Sequence, residues 1–333
     1  MNRRQFLIST SGAIAIALPP SRPGLAQENP FRAKYFPLPS DVGVHDVAPS
    51  ASGSVWFTAQ RNGALGRFEP EKASFRMVDL GKGSAPHGVI IGPDGAPWVT
   101  DGGQNAIARV DPADHKVSLF RLPGKEPFAN LNTAAFDRNG ILWFTGQSGI
   151  YGRLDPKSRE MQVWDAPKVV GPYGITATPD GAIYYVSLAG SFLGKPDLDS
   201  GETSVIEPQT PKAGTRRVWS DSKGRLWVSE WNAGNLSTYD PASQSWEVYK
   251  LPGDSPHAYA VYVDRKDKVW VSDFGANAIL KFDPDTKSFA SFPSDKPDAA
   301  VRQLNGRQGE VWGAESGADS LVVIRTGENQ AKD

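Results

Sequence analysis

Between residues 87 and 123 four short runs rich in apolar residues follow one another: HGVIIGP (87–93), WVTD (98–101), AIARVDP (106–112) and KVSLFRLP (116–123). Asp94-Gly95 separates the first two and predicts a hairpin turn; Asp111-Pro112 turns the third into the fourth. Four strands of this length, joined by turns, form one antiparallel unit. Aligning the aromatic that opens the second strand gives Trp56, Trp98, Trp143, Tyr184, Trp227, Trp270 and Trp312, at intervals of 42, 45, 41, 43, 43 and 42 residues. Asn139-Gly140, Asp180-Gly181 and Lys223-Gly224 recur at the first turn, and Asp-Pro at 155–156, 240–241 and 283–284 at the last.

Four antiparallel strands at a period near 43 predict the blade of a β-propeller, and seven repeats predict seven blades. A linear solenoid would have shorter repeats and parallel strands. The last repeat ends on its third strand, SLVVIR (320–325), whereas KYFPLP (34–39) resembles an orphan fourth strand. The fold class is therefore all-β: a seven-bladed propeller of four-stranded antiparallel blades, its ring closed by the N-terminal strand joining the last blade. Such closure leaves no open sheet edge between the ends.

Composition supports one packed domain over residues 27–333. The chain of 333 residues is 39% hydrophobic, and its 34 glycines and 27 prolines suit many turns rather than long helices. A net charge of −1 without clustered Lys or Arg excludes a nucleic-acid footprint. With no cysteine, stability rests on core packing, and thiolate nucleophiles, thiolate metal sites and covalent haem attachment are excluded. Residues 1–26 read as a transport signal. Asn2-Arg3-Arg4-Gln5-Phe6-Leu7 matches the twin-arginine pattern, an interrupted apolar stretch follows, and Gly24-Leu25-Ala26 gives a small-x-small cleavage site. The expectation is a periplasmic protein exported by the twin-arginine route, a monomer without membrane attachment once cleaved.

In each hairpin the start of the first strand and the end of the second lie at one end, near the ring axis. The first position reads His45, His87, Asn132, Tyr173, Arg216, Tyr259 and Arg302; the second includes Asp101, Glu230, Asp273 and Glu315. The spacing predicts cross-hairpin pairs: His87 with Asp101, Arg216 with Glu230, Tyr259 with Asp273, Arg302 with Glu315. A concave mouth with convergent polar groups is the usual geometry of a small-molecule site, although polar pairs also serve simply to line a wet channel. Arg216 and Arg302 suit bidentate capture of a carboxylate or other oxyanion. His45, His87 and the nearby His257 are candidate bases. Asn132, Tyr173, Trp231 and Tyr259 are candidate ligand contacts, and Asp101, Glu230, Asp273 and Glu315 candidate metal ligands. No Gly-x-Ser-x-Gly elbow, P-loop, Gly-x-Gly-x-x-Gly fingerprint or His-Glu-x-x-His motif occurs.

The segments PHGVIIGPDGAPWVTDGGQNAIARVDP (86–112), YGITATPDGAIYYVS (173–187), WVSEWNAGNLSTYDP (227–241) and WVSDFGANAILKFDP (270–284) resemble the blades of the virginiamycin B lyase (streptogramin lyase) family, over roughly residues 34–326. The resemblance implies a C–O lyase that opens a cyclic ester without hydrolysis, using a histidine base on the last blade and Mg²⁺ held by carboxylates. The base position falls at Arg302, one metal position at Ala300 and the other near Glu315, and a substrate-contacting histidine position falls at Tyr259. Three functions follow: such a lyase with a rearranged site, based on His45, His87 or His257; a non-enzymatic binding or scaffold propeller for an anionic ligand; or a gluconolactonase-like lactone hydrolase.

Overall fold

The computed structural model describes residues 32–124, 128–168 and 170–327. The transport signal expected at 1–26 lies outside the described residues. Among the described residues, twenty-eight strands form seven four-stranded sheets, each antiparallel throughout. Blade 1 runs outward from the axis as β2 (Val44–Pro49), β3 (Val55–Ala59), β4 (Ala64–Glu69) and β5 (Ser74–Asp79). The innermost strands of blades 2 to 7 are β6 (Pro86–Ile91), β10 (Leu131–Phe136), β14 (Pro172–Ala177), β18 (Thr215–Ser220), β22 (Ala258–Val263) and β26 (Val301–Arg307). Beside them lie β7 (Pro97–Asp101), β11 (Leu142–Gly146), β15 (Ile183–Ser187), β19 (Leu226–Glu230), β23 (Val269–Asp273) and β27 (Glu310–Glu315).

The ring closes as the sequence pattern predicts. Strand β1 (Ala33–Pro37) pairs antiparallel with β28 (Ser320–Arg325), from Ala33 opposite Ile324 to Pro37 opposite Ser320. Asp319 latches the join: its carboxylate accepts the backbone N–H of Asp41 at 2.9 Å, Gly43 at 2.8 Å and Val44 at 3.2 Å. Phe36 on β1 packs on Trp312 of its own blade and on Phe68 of blade 1.

The aligned aromatics form the interior. Trp56, Trp143, Trp227, Trp270 and Trp312 are fully buried, each side chain removing on the order of 200 Å² from water. An indole buried this way needs an acceptor for its N–H. The carboxylates of the first turn supply one: Trp98 donates to Asp94, Trp143 to Asp137, Trp227 to Asp221, Trp270 to Asp264 and Trp312 to Glu310. In blades 2, 3, 5 and 6 one aspartate thus both shapes the hairpin, by accepting its backbone N–H groups, and satisfies the core indole.

Two repeated features position the axial side chains. In every blade the pairing between the first two strands shifts register, between Val44 and Val47 in blade 1 and at the equivalent place in the other six. Such a bulge breaks strict alternation and re-aims side chains. In five blades a Thr or Ser hydroxyl then ties this bulge to the neighbouring blade. Thr58 accepts the Asp46 N–H and donates to the His87 carbonyl. Thr100 does so between Gly88 and Asn132, Thr145 between Thr133 and Tyr173, Ser229 between Arg217 and Tyr259, and Ser272 between Ala260 and Val301. Blades 4 and 7 carry Val186 and Ala314 at this position.

Candidate functional site

The bulge changes which residues meet. Opposite the four second-strand carboxylates stand Pro86, Thr215, Ala258 and Val301, each one residue before the expected partner. The predicted cross-hairpin pairs are therefore corrected: the carboxylates turn to their own loops. Asp101 accepts from Ser84 Oγ, the Ala85 and Gln104 N–H groups and Gln104 Nε2. Glu230 accepts from Asn235 Nδ2 at 2.9 Å, and Asp273 from the His257 and Gly275 N–H groups. Glu315 accepts from Ser294 Oγ at 2.6 Å, and burial raises its pKa against the pull of that hydrogen bond. Asp101, Asp273 and Glu315 thereby brace the loops that lead into the innermost strands, whereas Glu230 bonds to Asn235 at the start of its own blade's third strand.

The first-strand residues gather as one network. His45 and His87 lie with ring centroids 3.9 Å apart. His87 Nδ1 is 3.1 Å from the Asn132 carbonyl, and its Nε2 is 3.2 Å from Asn132 Nδ2, so this imidazole carries its proton on Nδ1 and accepts on Nε2. Across the ring, Tyr173 Oη and Tyr259 Oη are 2.6 Å apart. Arg216 lies over the Tyr259 ring at 3.6 Å, contacts Trp231 at 4.5 Å, and donates to Tyr173 Oη at 3.2 Å. Arg302 donates through Nε to Ser316 Oγ at 2.7 Å and through Nη1 to Tyr259 Oη at 3.4 Å. His257 is half-buried at the rim, its ring against Trp231 and its Nδ1 3.1 Å from the Ser255 carbonyl.

A second layer was not expected from the sequence. At the bulges of blades 1, 5 and 7 two consecutive polar side chains turn inward, so Asp46, Arg217 and Gln303 accompany His45, Arg216 and Arg302. Asp46 Oδ1 is 2.8 Å from His45 Nδ1 and 3.4 Å from Arg217 Nη2. Arg217 also reaches Asn132 Oδ1 at 3.4 Å, and Gln303 Oε1 accepts the Val47 N–H. Blades 2 and 4 contribute one side chain because their second position is glycine. A Cβ on Gly88 would lie 2.5 Å from the Asn132 carbonyl oxygen, and one on Gly174 would lie 2.7 Å from Arg217 Cα. The signal was present as adjacent polar pairs, His45-Asp46, Arg216-Arg217 and Arg302-Gln303, inside otherwise apolar strands.

Charge is unevenly shared. Three arginines face one axial carboxylate, Asp46. Burial, then Arg217, Arg302 and Arg216, hold the His45 imidazole well below the ordinary histidine value; burial and His45 do the same to His87. Burial raises the Asp46 carboxyl despite the opposing pull of Arg217, His87 and Arg302. Burial and the neighbouring Tyr259 push Tyr173 up to about 12. Burial acts the same way on Tyr259, but the guanidiniums of Arg216, Arg217 and Arg302 outweigh it and its pKa is lowered.

The magnesium implied by the family resemblance does not find its ligands. Ala300 offers no donor, and Glu315 is turned toward Ser294, in the crevice between blades 6 and 7 that Asp273 also lines. Asp101, Glu230, Asp273 and Glu315 do not converge on a common point. Among the described residues one group of three could hold a metal ion: His45, Asp46 and His87, whose ligand atoms lie within 4.8 Å of one another.

Fold and site thus define a seven-bladed propeller with a polar, cationic axial mouth. The chain belongs to the virginiamycin B lyase family, whose profile matches residues 26–282. Virginiamycin B lyase from Staphylococcus aureus superposes with a TM-score of 0.82 at 19% identity, covering 89% of this chain and 99% of that one. A streptogramin B lyase superposes with a TM-score of 0.81 at 20% identity, covering 89% and 97%. YCF48 bound to a D1 peptide gives 0.70 at 16% identity, covering 92% and 98%. At these identities the likeness is one of fold. A gluconolactonase from Zymomonas mobilis subsp. mobilis is 30% identical over 126 residues, 37% of this chain and 28% of that protein's length.

Proposed function

We propose that this propeller binds a small molecule carrying a carboxylate or another oxyanion, seated at the axial mouth between Arg216 and Arg302. One observation carries the reading: both guanidiniums are half-buried and, among the described residues, neither has a carboxylate partner. Arg216 Nε is buried without any acceptor. A buried donor left open costs roughly 1–3 kcal/mol, and an oxyanion removes that cost while neutralising part of the charge. Trp231, stacked on Arg216, provides an apolar wall for the body of the ligand. The family resemblance supports a small-molecule site at this mouth, and we take the protein to act as a monomer in the periplasm after twin-arginine export.

The metal-assisted C–O lyase reading is weaker for this chain. An arginine stays protonated and does not replace a histidine base, and Ala300 cannot hold an ion. The lactonase reading lacks a free asparagine at the axial mouth among the described residues, since Asn132 is engaged by His87, Arg217 and Thr133. Calorimetric titration with benzoate and gluconate, against benzyl alcohol as a neutral control, tests the proposal. Arg216→Ala/Arg302→Ala should lose anion binding at least tenfold and remain folded; equal binding by the parent and the variant would reject the site. Incubation with quinupristin and Mg²⁺, followed by mass spectrometry, should leave the depsipeptide ring intact; ring opening without mass change would restore the lyase reading.

A further inference from the structure

We propose that His45, Asp46 and His87 form a binding site for one divalent first-row transition-metal ion at the floor of the mouth. This position is distinct from that of the ion implied by the family resemblance, which falls at Ala300 and Glu315 on the last blade. The local fold explains the convergence. The bulge in β2 turns two consecutive residues, His45 and Asp46, toward the axis, and the bulge in β6 brings His87 beside them from the next blade. All three side chains are buried.

The donors decide which ion fits. Two imidazole nitrogens with one carboxylate suit zinc, cobalt, nickel or iron; magnesium prefers an all-oxygen shell. The 2.8 Å hydrogen bond between His45 Nδ1 and Asp46 Oδ1 holds this ring and this carboxylate side by side, as two ligands of one ion must be. A second observation points to the same place independently. Asp46 is 1% exposed, yet its Oδ2 has no hydrogen-bond partner. Buried carboxylate oxygens are rarely left open, and a cation between Asp46 and the two rings would satisfy this one.

The surroundings resemble an outer shell. His87 Nδ1–H already points at the Asn132 carbonyl, which fixes Nε2 as the free ring nitrogen. Ion binding requires that the Asn132 amide, 3.2 Å from that Nε2, turn aside and that the proton between His45 Nδ1 and Asp46 Oδ1 leave if Nδ1 is the ligand. Arg217 holds the other Asp46 oxygen. The three arginines oppose a bare dication, so the ion should enter with a counter-anion on its open positions. That anion would also reach Arg302 or Arg216; only this last step rests on the anion-binding reading.

The test uses the purified chain stripped with EDTA and titrated with Co²⁺, read by its visible absorption, and with Zn²⁺ by competition. One ion per chain is expected, with affinity reduced at least tenfold in His87→Gln and Asp46→Asn, and benzoate should tighten Co²⁺ binding. Arg216→Ala/Arg302→Ala should keep the ion and lose the benzoate effect. Absence of stoichiometric Co²⁺ and Zn²⁺ binding, or unchanged affinity in the folded His87→Gln and Asp46→Asn proteins, overturns the metal site. Metal binding without any benzoate response would instead reject the anion reading and leave the metal site standing.

Discussion

The two sides of the axial ring are built on opposite terms. Blades 1 to 3 contribute His45, Asp46, His87 and Asn132, whose groups are mostly engaged with one another; every junction leading out of these blades also carries a Thr hydroxyl. Blades 4 to 7 contribute Tyr173, Arg216, Tyr259 and Arg302, in which guanidiniums rest on aromatic faces and phenols without a carboxylate. On the first side the polar groups pair mostly with one another and leave Asp46 Oδ2 open, which suits a cation; on the second the guanidiniums lack counter-ions, which suits an anion. Neighbouring residues mark the boundary: Arg217 crosses the ring to Asp46, whereas Arg216 stays at the mouth.

The largest expected effect exploits that pair. Arg217→Ala leaves Asp46 buried and uncompensated and should lower stability by about 3–5 kcal/mol, measured by urea unfolding. Arg216→Ala removes a charge that has no counter-ion together with its stacking on Tyr259 and Trp231, and should lower stability by only about 0.5–2 kcal/mol. Equal losses at the two positions would erase the distinction between the sides. Asp46→Leu/Arg217→Met should recover most of the single-variant loss, because removing both charges leaves neither unpaired.

An intermediate effect is expected at the hydroxyl belt. Thr145→Val keeps the shape but strands the Thr133 N–H and the Tyr173 carbonyl, which should cost about 1–3 kcal/mol. Val186→Thr, placed where blade 4 has no such hydroxyl, should bring no comparable gain. If both substitutions prove neutral in urea unfolding, the belt does not distinguish the two sides.

The blades, their order and the ring closure were legible because they depend on spacing: a turn signal, a buried aromatic and an Asp-Pro recur at nearly constant intervals. The axial side chains were legible as a set for the same reason. What the spacing hid was the bulge. A strand alternates with period two, so one inserted residue sends everything beyond it to the other face. The four carboxylates therefore left the mouth for the loops, and Asp46, Arg217 and Gln303 entered it. Adjacent polar residues such as Arg216-Arg217 are hard to reconcile with a regular innermost strand, and that conflict was the available clue. The balance of charge was harder to read, since three arginines against one carboxylate emerges only when seven separate segments are closed into a ring.

The smallest effect probes the cationic side directly. Tyr259 is lowered from its ordinary value by Arg216, Arg217 and Arg302, whereas Tyr173 is raised to about 12. For Tyr259 the folded value lies below the unfolded one, so its ionisation favours the folded state as pH rises toward 10 and that contribution is lost as pH falls through the folded value. For Tyr173 the sign reverses: its contribution is present below pH 10 and lost as pH climbs toward about 12. Absorbance at a phenolate wavelength should therefore show one early-titrating tyrosine, missing in Tyr259→Phe and shifted upward in Arg216→Ala/Arg302→Ala. Binding of benzoate at the mouth should shift it upward too, because an anion beside the guanidiniums removes the field that favours the phenolate. A first tyrosine titration identical in the parent protein and in Tyr259→Phe would mean that the three arginines do not act on Tyr259, and the cationic side would lose its defining property.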